Sequence, residues 1–186
     1  MRSIVGRLLA ATVLVAGALI PAGAAANAAS SSDAPVKPLL SGVFKQIKNS
    51  GTNLCLEPEN QSTAVGANLV QMPCVSSGVE GQAQGWQPLY VGNNHYKFVN
   101  QLSGLCMRNR ATTNGSVVHQ WGCATISDEE YNTGATLPAV AKIESRLHWT
   151  DSGACLDVPG GLATIGARLQ MYKCNGTPAQ IWVNGF

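Results

Sequence analysis

Six cysteines in three evenly stepped pairs constrain this chain more than any other feature. The pairs are Cys55/Cys74, Cys106/Cys123 and Cys155/Cys174. Their first members are 51 and then 49 residues apart, and their second members 49 and then 51. A period near 50 in three copies is an internal repeat, and a repeat dictates the architecture before any single element is assigned.

The N-terminal end stands apart from the repeat. Arg2 and Arg7 precede an apolar run from Leu8 to Ile20, followed by Pro21 and small residues ending in Ala26-Asn27-Ala28. A basic start, a short apolar stretch and an A-x-A-like ending read as an export signal over residues 1–28. The apolar run is too short to span a bilayer comfortably. Residues 29–42, rich in Ala, Ser and Pro, read as a flexible lead-in. The signal carries two of the 12 Lys and Arg and none of the 10 Asp and Glu, so the exported chain is formally neutral. Neutrality disfavours a nucleic acid or an anionic membrane as partner, since both select a basic face. Residues 43–186 suffice for one core and are too few for two comfortable domains.

Export makes disulfides the expected state of the cysteines. The repeat selects the pairing Cys55–Cys74, Cys106–Cys123 and Cys155–Cys174, one bridge per copy. Each would close a loop of about 20 residues and stabilise by ~3 kcal/mol in the chain-entropy view. No two cysteines have the two-to-four-residue spacing of a zinc knuckle, so neither a metal nor another cofactor is expected.

Anchored on the first cysteine of each copy, the repeats run about 43–92, 93–141 and 142–186. Ser50-Gly51, Ser103-Gly104 and Ser152-Gly153 read as turns before each cysteine. Eight residues before it stand Ile47, Phe98 and Leu147, in short alternating runs that read as half-buried strands. After it come Leu56, Met107 and Leu156, then a turn with Gly66, Gly115 or Gly166, then a second short strand into the second cysteine. Nothing sustains helical periodicity beyond a turn or two. The pattern is all-β, and three units that cannot bury their own apolar faces imply a closed pseudo-threefold body without exposed sheet edges.

The third copy contains Cys155-Leu156-Asp157-Val158, Gly166, Leu169-Gln170-Met171-Tyr172, Cys174-Asn175-Gly176 and Gln180-Ile181-Trp182. In combination these resemble the ricin-B-type lectin repeat: C-L-D-V, a glycine, V-Q-L-W-x-C-N-G and a closing Q-x-W. The resemblance implies a β-trefoil of twelve short strands and one shallow glycan pocket per repeat. It implies three pocket groups: an Asp after the first cysteine to accept from sugar hydroxyls, an aromatic plate two residues before the second cysteine, and an amide before the Q-x-W.

On that pattern the third repeat is the expected site. Asp157 matches the acceptor, Tyr172 the plate, Gln170 the polar residue beside it, and Gln180 with Trp182 the Q-x-W. Ala179 stands where the amide is often found. In the first repeat Glu57 replaces the Asp, Met72 the aromatic and Val70 the Gln, while Gln84-Gly85-Trp86 keeps the Q-x-W; Glu57 is a weaker candidate. In the second repeat Arg108 replaces the Asp and His119 the Gln, while Trp121 keeps the plate and is the other weaker candidate. Its Q-x-W reads as missing, with Gly134-Ala135 in that register. Asp128-Glu129-Glu130 reads as a solvated acidic run, followed by Tyr131 in the loop.

The expected activity is non-catalytic binding of a glycan, galactose- or xylan-type, by a secreted protein. No nucleophile elbow, zinc-protease or phosphate-loop motif is present. Neither Glu57/Glu59 nor Asp128/Glu130 forms the pair of opposed carboxylates that glycoside hydrolysis needs. The rival is a protein-binding or inhibitory trefoil, such as a toxin docking subunit, because fold does not fix function. Asn60-Gln61-Ser62, Asn114-Gly115-Ser116 and Asn175-Gly176-Thr177 match the N-glycosylation pattern and read as turns.

Overall fold

The computed structural model describes residues 43–134 and 140–184. The signal over 1–28, the lead-in over 29–42 and Ala135 lie outside them. The first repeat supplies β1 (Lys45–Asn49), β2 (Cys55–Pro58), β3 (Leu69–Met72) and β4 (Gly85–Gly92), with one short helix, α1 (Gly78–Ala83), before β4. The second supplies β5 (His95–Asn100), β6 (Cys106–Arg108), β7 (Ser116–Val117), β8 (His119–Trp121) and β9 (Tyr131–Asn132). The third supplies β10 (Val140–Ala141), β11 (Glu144–Ser145), β12 (Ala154–Asp157), β13 (Gln170–Lys173) and β14 (Trp182–Asn184). These fourteen segments are twelve trefoil strands with two interruptions, at Val118 and at Lys142-Ile143.

Antiparallel pairings close a barrel. Strand β1 pairs with β4 and β14, β4 with β5, β5 with β9, and β9 with β11, while β10 returns to β14. The hairpins β2–β3, β6–β8 and β12–β13 cap one end. At the pseudo-threefold axis the Leu69 N–H donates to Val118 O (2.8 Å), Val118 N–H to Leu169 O (3.2 Å) and Leu169 N–H to Leu69 O (2.8 Å). Val118 leaves its own ladder to make this ring, which is why β7 and β8 are separate.

The core is built in threes. Ile47, Phe98 and Ile143 form one set; Leu56, Met107 and Leu156 a second; Leu69, Val118 and Leu169 a third; Trp86, Tyr131 and Trp182 a fourth, all fully buried. Complete burial of such side chains is worth about 1.5–3 kcal/mol each before entropy is charged. Both tryptophans satisfy their indole N–H on a main-chain carbonyl, Trp86 on Leu56 O (3.0 Å) and Trp182 on Leu156 O (2.9 Å). Cys55–Cys74, Cys106–Cys123 and Cys155–Cys174 are bonded, each within one repeat, with Cα atoms 5.0–5.1 Å apart.

Three sequence assignments change. Leu147 is not the third member of the Ile47/Phe98 set. Lys48, Val99 and Glu144 pair with the first cysteines, which puts Ile143 in register. The third repeat has four extra residues, folded as a 3₁₀ turn over Leu147–Trp149. Ser50 and Gly51 do lie in the first repeat's pre-cysteine turn, but the residues equivalent to Ser103-Gly104 are Thr52-Asn53. Thr52 Oγ1 donates to Gln71 Oε1 (2.9 Å) as Ser103 Oγ donates to Gln120 Oε1 (2.8 Å). Asn53 takes the left-handed backbone (φ 59°) that Gly104 and Gly153 take elsewhere, which Asn tolerates.

The third change concerns the second repeat's Q-x-W, which is present in altered chemistry. Tyr131 lies opposite Ser145 and Tyr96, as Trp86 lies opposite Asn100 and Lys45. Glu129 therefore occupies the Gln place. Its carboxylate accepts from Ala124 N–H (2.8 Å), as Gln84 accepts from Val75 N–H (2.8 Å) and Gln180 from Asn175 N–H (2.8 Å). The acidic run is not solvated. Arg108 Nη2 stands 2.7 Å from Asp128, Lys97 Nζ 3.7 Å from Glu129, and Arg146 Nη1 2.6 Å from Glu130. Glu129 is fully buried, and burial pushes its carboxyl above the ordinary range despite Lys97. In the first repeat the same place holds the neutral pair Gln46 Nε2 to Gln84 Oε1 (2.8 Å).

Candidate functional site

Strands β12 and β13 bring the third-repeat candidates together because their ladder sets Asp157 opposite Gln170 and Cys155 opposite Tyr172. Gln170 Nε2 donates to Asp157 Oδ1 at 2.7 Å, and the Gln180 amide stands near enough to favour the charged carboxylate. Gln180 is itself fixed by accepting from Asn175 N–H and donating to Lys173 O (3.0 Å). A carboxylate offers about four acceptor positions and Gln170 fills one, so acceptor capacity remains for a ligand. Burial leaves Asp157 only 5% exposed and pushes its carboxyl above the usual Asp range, with Gln170 and Gln180 pulling the other way.

Above this floor lies an open cavity of about 520 Å³, within the range of small-molecule sites. Tyr172, 38% exposed, forms one side. The opposite side is poor in side chains: Gly160, Gly161, Pro178, Ala179 and, from the first repeat, Gly51. Sequence reasoning missed this wall. Its signal was the Gly160-Gly161 pair, both left-handed (φ 66° and 64°), where the first repeat puts Asn60 and Gln61 (φ 58° and 51°).

In the first repeat Glu57 is fully buried. Its Oε2 accepts from Gln84 Nε2 (2.8 Å), while its Oε1 is buried without a hydrogen-bond partner. Burial pushes this carboxyl up. Met72 flanks it in place of an aromatic ring.

The second repeat is filled by its own side chains. Arg108 lies over the Trp121 ring, 5.4 Å from its centroid, and its Nε and Nη2 bond Asp128 Oδ2 at 2.9 and 2.7 Å. Register places Asp128 where the amide before a Q-x-W would stand. Acceptor and amide are thus replaced by a cation and an anion that neutralise each other on the plate. His119 packs edge-on to Trp121 (5.8 Å), and burial, then the Arg108 charge, lowers its basicity. Among the described residues no group of three or more His, Cys, Asp or Glu side chains gathers as a metal site would.

The family model of the ricin-type beta-trefoil lectin domain-like proteins matches residues 39–121. That span is under half of the chain, which over it is similar to those proteins. Solved structures agree that the chain is a β-trefoil. It superposes on the designed threefold-symmetric protein ThreeFoil with TM-score 0.67 and 25% identity, covering 76% of this chain and 96% of that one. The earthworm R-type lectin C-half, solved with GalNAc, gives TM-score 0.61 at 15% identity over 76% of this chain and 97% of that one. The exo-beta-1,3-galactanase 1,3Gal43A from Clostridium thermocellum gives 0.67 at 22% over 76% of this chain but only 30% of the enzyme. No curated protein matches the chain.

Proposed function

We propose that this chain is an exported, non-catalytic lectin that holds a glycan in the third-repeat cavity. The observation that carries the reading is a carboxylate with spare acceptor capacity, Asp157, at the floor of an open cavity beside an exposed ring, Tyr172. Carboxylate acceptors make the stronger hydrogen bonds to hydroxyls, and a ring covers the C–H face of a sugar. The lectin-like family match and the GalNAc-bound earthworm neighbour support the ligand class. The expected ligand is a galactose- or xylan-type glycan. One open site predicts weak monovalent binding, with useful avidity only on a dense glycan surface or through an oligomer.

Asp157→Ala and Tyr172→Ala should each abolish retention on galactose-agarose or insoluble xylan while leaving the far-UV spectrum unchanged. Retention that survives both substitutions excludes this cavity as the site.

A second reading, a protein-docking trefoil, draws support from two observations. The first-repeat carboxylate is fully buried and the second repeat is filled by its own side chains, and a mosquitocidal holotoxin contains a similar fold, at 16% identity and TM-score 0.64 over 17% of that chain. Capture of a defined protein partner, undiminished in the Asp157→Ala variant, with no retention on either matrix would favour it.

A further inference from the structure

The third-repeat cavity has Ala179 where its relatives commonly carry an amide, so its polar set is short of one donor. A second amide stands at its edge. Asn175, the residue after Cys174, lines the same cavity as Asp157 and Tyr172. Its Oδ1 accepts from Thr177 N–H (3.0 Å) and Thr177 Oγ1 (2.7 Å), an Asx turn. The turn also fixes which end of the carboxamide is which. A main-chain N–H can only donate, so its partner must be the oxygen, and Nδ2 is left as the outward group. The backbone N–H of Asn175 is tied to Gln180 Oε1 at 2.8 Å, and Gln180 Nε2 in turn donates to Lys173 O at 3.0 Å. The amide is thus held on both its side chain and its main chain.

We infer that Asn175 is the specificity-determining donor of this site, replacing the amide absent at position 179. The inference rests on the proposed glycan reading of the cavity. Because Nδ2 donates and cannot accept, it takes a ligand oxygen with a free lone pair: a hydroxyl, ring, glycosidic or acyl oxygen. Asn175 is exposed, so this hydrogen bond forms at the solvent-facing edge of the cavity. A Cβ at Gly161 would stand 3.7 Å from Ala179 Cβ, so these two positions share one wall of the cavity that Asn175 also lines.

The test is titration calorimetry of the exported chain with galactose, N-acetylgalactosamine and xylotriose, using Asn175→Ala and Asn175→Asp. Asn175→Asp keeps the Oδ1 that holds the Asx turn and replaces only the donor. Both variants should weaken binding of the preferred probe by about five- to twentyfold. Where the ligand oxygen carries no hydrogen, Asn175→Asp should be at least as weak as Asn175→Ala, since an acceptor then faces an acceptor. N-acetylgalactosamine as the preferred probe points to the acyl oxygen; xylotriose points to the glycosidic or ring oxygen. Parent-like affinity in Asn175→Asp, alongside lost binding in Asp157→Ala, overturns the role of Asn175 and leaves the glycan reading standing. Absence of binding by the parent to all three probes overturns both.

Discussion

Asp157 is a strong ligand acceptor while ionised, and its surroundings make that state harder to keep. Burial raises its pKa, and Gln170 and Gln180 offset this only in part. A raised carboxyl takes up its proton at a higher pH than a free Asp would. Glycan affinity should therefore be full near neutrality and fall on acidification, beginning above the ordinary Asp range, while Asp157→Asn binds weakly and without that slope. Measuring affinity between pH 7 and pH 4 on parent and variant checks this; a flat parent profile contradicts it. Stability runs the other way for this group. A folded pKa above the unfolded one contributes stability below the unfolded pKa that is lost as pH rises through the folded pKa. Glu57 and Glu129, also raised by burial, add to the same trend. The site residues were legible because Asp157, Gln170, Tyr172 and Gln180 stand at fixed offsets from two cysteines. Asn175 and the Gly160-Gly161 wall were less so, since their role comes from backbone conformation and from which side-chain end a turn engages.

At the scale of the strand and the hairpin, the second repeat tests whether its occluded plate is only a matter of two side chains. Trp121 is in place, and Arg108 with Asp128 fills the space above it. Arg108→Asp with Asp128→Asn would copy the acceptor-and-amide pattern of the family. In an Asp157→Ala background the double variant should regain retention on the matrix that the parent binds, whereas Arg108→Asp alone sets two carboxylates together and should not. No retention in the double variant would show that the plate is closed by more than this ion pair. Elements also explain where the sequence misled. Glu129-Glu130-Tyr131 conceals a Q-x-W because a charge pair with Lys97 does the work of an amide pair, and Tyr131 fills the place of an indole. Counting back from a cysteine placed Leu147 in the core because the extra 3₁₀ turn leaves every motif intact and shifts only the ladder, in which Glu144, not His148, faces Cys155.

Across the whole molecule, the three repeats share one core and one axis, so they should unfold together. Cys106→Ser with Cys123→Ser removes a bridge that closes a 17-residue separation and should cost about 3 kcal/mol. A single denaturant transition, coincident by fluorescence and circular dichroism, is expected to persist; a separate early transition for the second repeat would contradict the shared core. The architecture at this scale was the most legible, because three cysteine pairs at a constant period leave few ways to close a sheet. The closure at the centre was invisible, since Leu69, Val118 and Leu169 meet through peptide groups that any residue but proline possesses. That anonymity frees the periphery. A joint made of amides and carbonyls closes on itself with three donors and three acceptors, yet it takes no notice of what hangs from the rim. Each repeat hangs its own chemistry there: one a buried carboxylate held by an amide, another a charge-neutralised lid, the last a receptive hollow.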